Sequence, residues 1–403
     1  MNTVNKILFK YFLLFFTLTL LMSACSPQSD NPSDRSIRQD LKVKTTSMAV
    51  YDIPLSFKDD YIGLLPLKNN HFIYYNLNND TMSFYEFDMS TGKSQSIGNI
   101  TPFISSNDST VLLGDHLYFY AGTRSSEDTI NTNFYEINLE TRKLNKLFTE
   151  RLGQIHIYLQ KMEDQALTYK GTVDKNIVTT FIDSYKPSTK KVKRLVSFQY
   201  DNSTNQGEFL YNIAATTEAF YALVEKRTTN KVSYSLKKYD KDGTYQQSYI
   251  LKDFDELIKN SGIGTVKIMG DYVYIDNFSH QSLIGKITGD EVKPVVTCTG
   301  GIELATDNVN DATDYYLFEQ RDTEHFYALD LRNETWLELP ISVDPVYKRF
   351  VYTVTDRQGH ALIMMKDDAL RIKLFYLNVL DFLPQAKVIG KLSPDRVIEI
   401  ASN

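Results

Sequence analysis

Cysteine is nearly absent from this chain: Cys25 and Cys298 are the only two in 403 residues. One bridge at most could form, so the fold must be held by its core and not by a disulfide framework. Histidine is scarce too. His71, His116, His156, His280, His325 and His360 include no His-x-His and no His-Glu-x-x-His spacing, which removes the common zinc patterns. Basic residues do not cluster: 44 Lys and Arg are scattered among 50 Asp and Glu, the formal charge is -6, and no nucleic-acid footprint forms. No Gly-x-Ser-x-Gly nucleophile elbow occurs. "TGKS" (Thr91 to Ser94) lacks the glycine that a phosphate loop needs five places before Gly92, where Phe87 stands, so it reads as a hairpin turn. A long apolar run is missing as well. The run from Tyr11 to Cys25 is shorter than the ~20 residues of a membrane-spanning helix.

What is present begins with that short run. Lys6 and Lys10 precede "YFLLFFTLTLLMSA", and a basic head, an apolar centre and small residues before the cut make a secretory signal peptide over residues 1–24. "LMSAC" resembles the lipobox of bacterial lipoproteins, with Met22 where leucine is usual. That resemblance implies diacylglycerol on Cys25 and a place on the outer, extracytoplasmic face of a bacterial cell membrane. Two acyl chains anchor stably, whereas one is marginal. With Cys25 acylated, Cys298 in "VVTCTGG" has no partner and reads as a small packed residue. Removing residues 1–24 takes away two lysines and no acid, which moves the formal charge from -6 to -8. "SPQSDNPSDRSIRQD" follows, too poor in large apolar residues to offset its ordering entropy, so residues 25–47 read as a flexible tether.

From Met48 the chain is rich in strand formers, with 27 Tyr and 23 Phe overall. "FYEFDMSTGK" (Phe84 to Lys93) returns as "FYEINLETRK" (Phe134 to Lys143), and five weaker copies of the strand and turn follow. Each is preceded by a short strand, headed in turn by His71, His116, Ala166, Ala219, Tyr272, Tyr315 and His360, so successive heads stand 43 to 53 residues apart. Seven strand-rich units at that period predict an all-β fold, a β-propeller over 48–403, with seven blades expected and six or eight left open. A four-stranded sheet has two faces to cover, and radial packing buries both. The outer strand of the last blade comes from "AKVIGKL" or from the N-terminal "MAVYDIPL"; the second choice would pair the two ends. "DFDELIKNSG" predicts one short helix, with Asp253 as N-cap and Gly262 beyond its last turn. "FYALDLRNETWLELP" resembles a kelch hairpin in the placement of its Tyr, Asp and Trp336, without the Gly-Gly of that family. "YEFDMSTGK" is similar to quinoprotein-type repeats without their tryptophan. No unit has the Gly-His and Trp-Asp pair of WD40 repeats. The resemblance therefore implies an architecture, that of bacterial lipoproteins with a propeller ectodomain, and no ligand.

Function in such rings gathers on the connections between second and third strands. These place Arg124, Arg227, Asp276, Phe278, His280, Arg321 and Asp322 near one mouth. Arginine clamps carboxylates, and Phe or His stacks on sugars and side chains. The group predicts a ligand-binding surface for a protein, peptide or glycan. "DNVNDATD" gathers the oxygen donors Asp307, Asn310, Asp311 and Asp314, a set suited to calcium though off the EF-hand spacing; otherwise no cofactor is implied. Two functions follow. One is a non-catalytic binding module. The other is an extracellular lyase, hydrolase or cyclotransferase with acids and bases spread over several blades.

Overall fold

The computed structural model describes residues 48–401 apart from short stretches at 57–61, 65–69, 79, 102, 127–128, 151–157, 255–256, 258–261, 278, 280, 311–313, 321–324, 343–346, 356–358 and 368–370. The signal peptide, Cys25 and the tether lie outside the described residues. Strand β1 is Met48–Ser56. The strands after it fall into consecutive antiparallel meanders. The first holds β2 to β5 (Ile62–Leu64, His71–Asn78, Thr81–Asp88, Lys93–Ile100), and the second β6 to β9 (Phe103–Leu113, His116–Ser126, Thr129–Asn138, Lys143–Glu150). The third is β10 to β13 (Tyr158–Met162, Gln165–Asp174, Ile177–Lys186, Lys191–Asp201), and the fourth β14 to β17 (Gln206–Ala215, Ala219–Thr228, Lys231–Asp240, Tyr245–Leu251). The fifth is β18 to β21 (Ile263–Met269, Tyr272–Asn277, Ser282–Thr288, Glu291–Cys298), and the sixth β22 to β25 (Ile302–Asn310, Tyr315–Gln320, Phe326–Asp330, Thr335–Leu339). The last run is β26 to β28 (Tyr347–Thr355, His360–Asp367, Arg371–Asn378), and β1 completes it by pairing with β28, Met48 opposite Leu377. The fold is thus nearly all β and built from antiparallel sheets.

The alternative source for that outer strand goes elsewhere. After two 3-10 turns, Val379–Asp381 and Leu383–Gln385, β29 (Lys387–Lys391) adds a fifth strand to the sixth meander beside β25. Then β30 (Ile398–Ile400) runs parallel to β21 on the fifth. Of the expected helix only Leu257 is described as helical. Asp253 has φ 63, which is not the extended conformation of an N-cap, while Gly262 has the positive φ expected past a helix end.

The repeated motif has a conformational reason. In the β4–β5 turn the Asp88 carboxylate accepts from the Ser90 N–H (2.8 Å) and from the Thr91 hydroxyl (2.8 Å), and Gly92 takes φ 66. The matching β8–β9 turn puts Arg142 at φ 53 with Asn138 as the side-chain acceptor. One Asx turn closes both hairpins, and its left-handed position is held by glycine in one and by arginine in the other.

The core is a succession of layers between neighbouring meanders. Phe84 of the first meets Phe119 of the second at 4.9 Å between ring centres, and Phe134 of the second meets Tyr185 of the third at 5.1 Å. Leu210, Ile213 and Val224 of the fourth pack on Leu167, Ile182 and Phe198 of the third. The fourth and fifth share a cluster around Leu236, Phe254 and Val266, and the fifth and sixth share one around Tyr274, Phe318 and the fully buried Trp336. Strands buried on both faces read as near-continuous apolar runs, which is why Ala219–Val224 is apolar throughout.

Candidate functional site

The third and fourth meanders are joined by a tight hairpin. Tyr200 stands opposite Gly207 and Asp201 opposite Gln206, and no other residues of β13 and β14 pair. Asp201 folds the turn by accepting from the N–H and hydroxyl of Ser203 (2.8 and 2.6 Å), and Asn205 sits in the left-handed region at φ 55. Beyond this neck the strands part. Between them opens a cleft of about 560 Å³ lined by Ser197, Phe198, Gln199, Gln206, Gly207, Glu208, Lys226 and Arg227.

Register decides which side chains share a face here, because residues directly opposite one another in a sheet point the same way. Gly207 is opposite Arg227, Phe209 opposite Glu225, Arg227 opposite Val232 and Glu225 opposite Tyr234. One face therefore carries Tyr200, Phe209, Glu225, Arg227 and Tyr234, joined by Tyr211 at the β14 bulge. Phe209 meets Tyr200 and Tyr211 edge-on, at 6.3 and 5.4 Å. Glu225, only 2% exposed, accepts from the Tyr211 hydroxyl at 2.7 Å and from Arg227 Nε. Burial, and then the bond to Glu225, push the Tyr211 phenol well above its ordinary pKa, so it remains a donor. Arg227 Nη1 donates to Asn205 Oδ1 at 3.1 Å, the same oxygen also accepts from Tyr200, and the guanidinium carbon lies 5.8 Å from the Tyr200 ring centre. The guanidinium is held in place before any ligand arrives, chiefly by the Glu225 bond, which also raises its pKa further. Across the cleft Lys237 Nζ is 2.7 Å from Glu208 Oε2 and covers the Phe198 ring at 5.6 Å.

The other predicted binding residues are placed as follows. Asp276, half-buried on β19, turns into its own meander, where it accepts from the Thr265 N–H and from Tyr274 (3.2 Å). Arg124 lies on β7 opposite Ile130. Phe278, His280, Arg321 and Asp322 lie outside the described residues. Of the oxygen-donor set, Asp307 and Asn310 fall within strand β22 and not in a loop, Asp311 is outside the described residues, and Asp314 occupies the turn at φ 55 before β23. Among the described residues no three His, Cys, Asp or Glu side chains gather as metal ligands. Sequence reasoning found Arg227 and missed Tyr200, Asn205, Tyr211 and Glu225. The usable signals were the turn-rich "DNSTNQG" between units and the closely spaced aromatics on either side of it.

The strand-head histidines serve structure: His71 Nδ1 is 3.2 Å from Glu86, His116 Nδ1 is 2.8 Å from Glu136, and His360 stacks on Tyr376. Cys298 is buried, and burial pushes its thiol pKa up, away from a nucleophile's range.

Glu319 on β23 is buried and accepts from the Thr353 hydroxyl of β26. Burial raises its pKa from 4.5 to about 7. The folded state thus holds a proton that the unfolded chain releases near 4.5. Its contribution to stability is complete below that pH and declines as pH rises towards about 7. The shift corresponds to about 3 kcal/mol. Glu319→Gln is expected to abolish the decline and to leave the variant about 3 kcal/mol more stable than the parent at pH 8, with little difference at pH 4.5. Urea midpoints across that range check this, and parallel pH curves for parent and variant would refute it.

No family model matches the chain, and no curated protein matches it. Solved structures do resemble it. One is a protein from Bacteroides fragilis NCTC 9343 assigned as a 6-phosphogluconolactonase: 12% identity, TM-score 0.44, covering 86% of this chain and 98% of that one. Another is a chain of the Saccharomyces cerevisiae complex of Dbp5 with Nup159, Gle1, IP6 and ADP: 10% identity, TM-score 0.47, covering 82% and 95%. At such values neither likeness says anything about what this chain binds or does.

Proposed function

We propose that the protein is a lipoprotein anchored through diacylglycerol on Cys25 to the extracytoplasmic face of a bacterial membrane. Its folded part is a seven-bladed β-propeller acting as a non-catalytic module that binds a protein, peptide or glycan. The propeller reading is supported by the run of four-stranded meanders, by core layers between successive ones, and by β1 completing the sheet of β26 to β28, so that the last blade takes its outer strand from the N-terminal side. The observation that carries the binding reading is Arg227. Glu225, Asn205 and Tyr200 hold its guanidinium at the wall of an open polar cleft. A positioned fork of donors loses little entropy when a ligand accepts from it.

The test is a thermal melt of the full chain in detergent against panels of cell-surface glycans and short peptides. A ligand at a hundred times its dissociation constant adds ~2.7 kcal/mol to the folded state. The expected result is a saturable rise that Arg227→Ala removes, in protein whose intact mass shows acylation at Cys25. A flat panel counts against binding, a rise indifferent to Arg227 counts against this cleft, and an unmodified Cys25 counts against the anchor.

A further inference from the structure

The charges of the cleft do not cancel. Glu208 is matched by Lys237 and Glu225 by Arg227, each pair in direct contact. Lys226 is left over: it is exposed, it lines the cleft, and no acid among the described residues pairs with it. In a chain of formal charge -6 this recess therefore favours an anion. Around Lys226 stand the carboxamides of Gln199 and Gln206, each able to donate and accept, with one Gln206 N–H already given to Thr229 at 3.1 Å. Phe198 is the one aromatic in the lining, and its ring is covered by Lys237. The recess thus offers donors and amides and little apolar surface.

The strand edges show which polar anion fits. A peptide added as a strand would need a row of free backbone groups. At the neck β13 and β14 already pair with each other. Further along β14, the Leu210 N–H donates to the Thr180 hydroxyl (3.3 Å) and the Leu210 carbonyl accepts from Tyr169 (2.8 Å), so at that residue both backbone groups are taken. Recognition falls to side chains: two amides that suit hydroxyl groups, and an ammonium beside a fixed guanidinium that suits a carboxylate.

We propose that the cleft between β13 and β14 binds a uronate unit of an acidic polysaccharide, its carboxylate between Lys226 and Arg227 and its hydroxyls on Gln199 and Gln206. This deepens the binding reading above and rests on it. The test titrates the full chain in detergent, by calorimetry, with hexamers of galacturonate, glucuronate and mannuronate, with maltohexaose as the uncharged sugar and hexaglutamate as the acidic peptide. At least one uronate hexamer should bind saturably and at least about tenfold more tightly than either control, the effect of one charge-assisted hydrogen bond. Lys226→Gln should weaken it about tenfold with the melting temperature unchanged. Equal binding of maltohexaose overturns the carboxylate while leaving a sugar-binding module in place. Preference for hexaglutamate overturns the sugar. Full affinity in Lys226→Gln overturns the placement. Failure of every uronate, when a neutral glycan or a peptide still stabilises the fold, overturns this inference alone; failure of every ligand overturns the binding reading as well.

Discussion

Lys170→Met is expected to lower the free energy of unfolding by about 3 to 5 kcal/mol, the cost of leaving a buried carboxylate without its partner. Lys170 is only 2% exposed. Its ammonium contacts Glu150 at the end of β9, lies 3.6 Å from Asp183 on β12, and sits 5.6 Å from the Tyr120 ring centre. Tyr120 also donates to Glu150, at 3.2 Å, and Arg194 Nε is 3.1 Å from Asp183 with its guanidinium 3.5 Å over the Phe181 ring. The cluster is neutral as it stands, two cations and two carboxylates, and it ties the second meander to the third. Methionine fills the space of the lysine stem but leaves Glu150 with the Tyr120 hydroxyl as its remaining neighbour in the cluster. The double variant Lys170→Met with Glu150→Gln removes the excess charge and should recover about 2 kcal/mol of the loss. Urea midpoints of the two single variants and the double one check this. A single-variant loss under about 1 kcal/mol would mean that water already reaches these groups.

This network also marks where the sequence stops being informative. The repeat was legible because each unit announces itself locally: a left-handed turn residue, then an apolar run, then an Asx turn. The expected strand heads at His71, His116, Ala219, Tyr272, Tyr315 and His360 are the first residues of their strands, and only Ala166 is off by one, since β11 begins at Gln165. Nothing local connects Glu150 to Lys170 or Asp183, which come together only once the second and third meanders pack. The site was half legible for a related reason. Arg227 was found because it ends a second strand, and strand ends are readable. Its partners come from the preceding meander, Tyr200 and Asn205, and from the bulge at Tyr211. Bulges and hairpin necks change which face a side chain occupies, and a strict alternation pattern does not register them. The same limit applies at the two ends of the chain. "MAVYDIPL" and "AKVIGKL" are both plausible edge strands, and only pairing places the first beside β28 and the second beside β25.

The neck of the cleft depends on one residue without a side chain, and Gly207→Ala is expected to cost about 4 kcal/mol, strain and overlap together. At φ 125 the backbone of Gly207 lies in a region that L-residues rarely enter. A Cβ there would stand 2.3 Å from the Gln199 carbonyl oxygen and 2.9 Å from the Tyr200 Cα. Both are backbone atoms of the paired strand, so neither can swing aside as a side chain would. Relief requires β13 and β14 to separate at the two residue pairs that join them. Asn205 would then move off Arg227, and the cleft would lose its fixed guanidinium. Gly92→Ala is the control: φ is 66, nothing lies within 4 Å of the added carbon, and about 1 kcal/mol is expected. Urea midpoints separate the two variants, and hydrogen exchange at the Gly207 amide reports whether the neck has opened. Equal losses in both would show that the β13–β14 junction yields without cost, and a cleft built on it would then hold Arg227 no more firmly than any surface loop does.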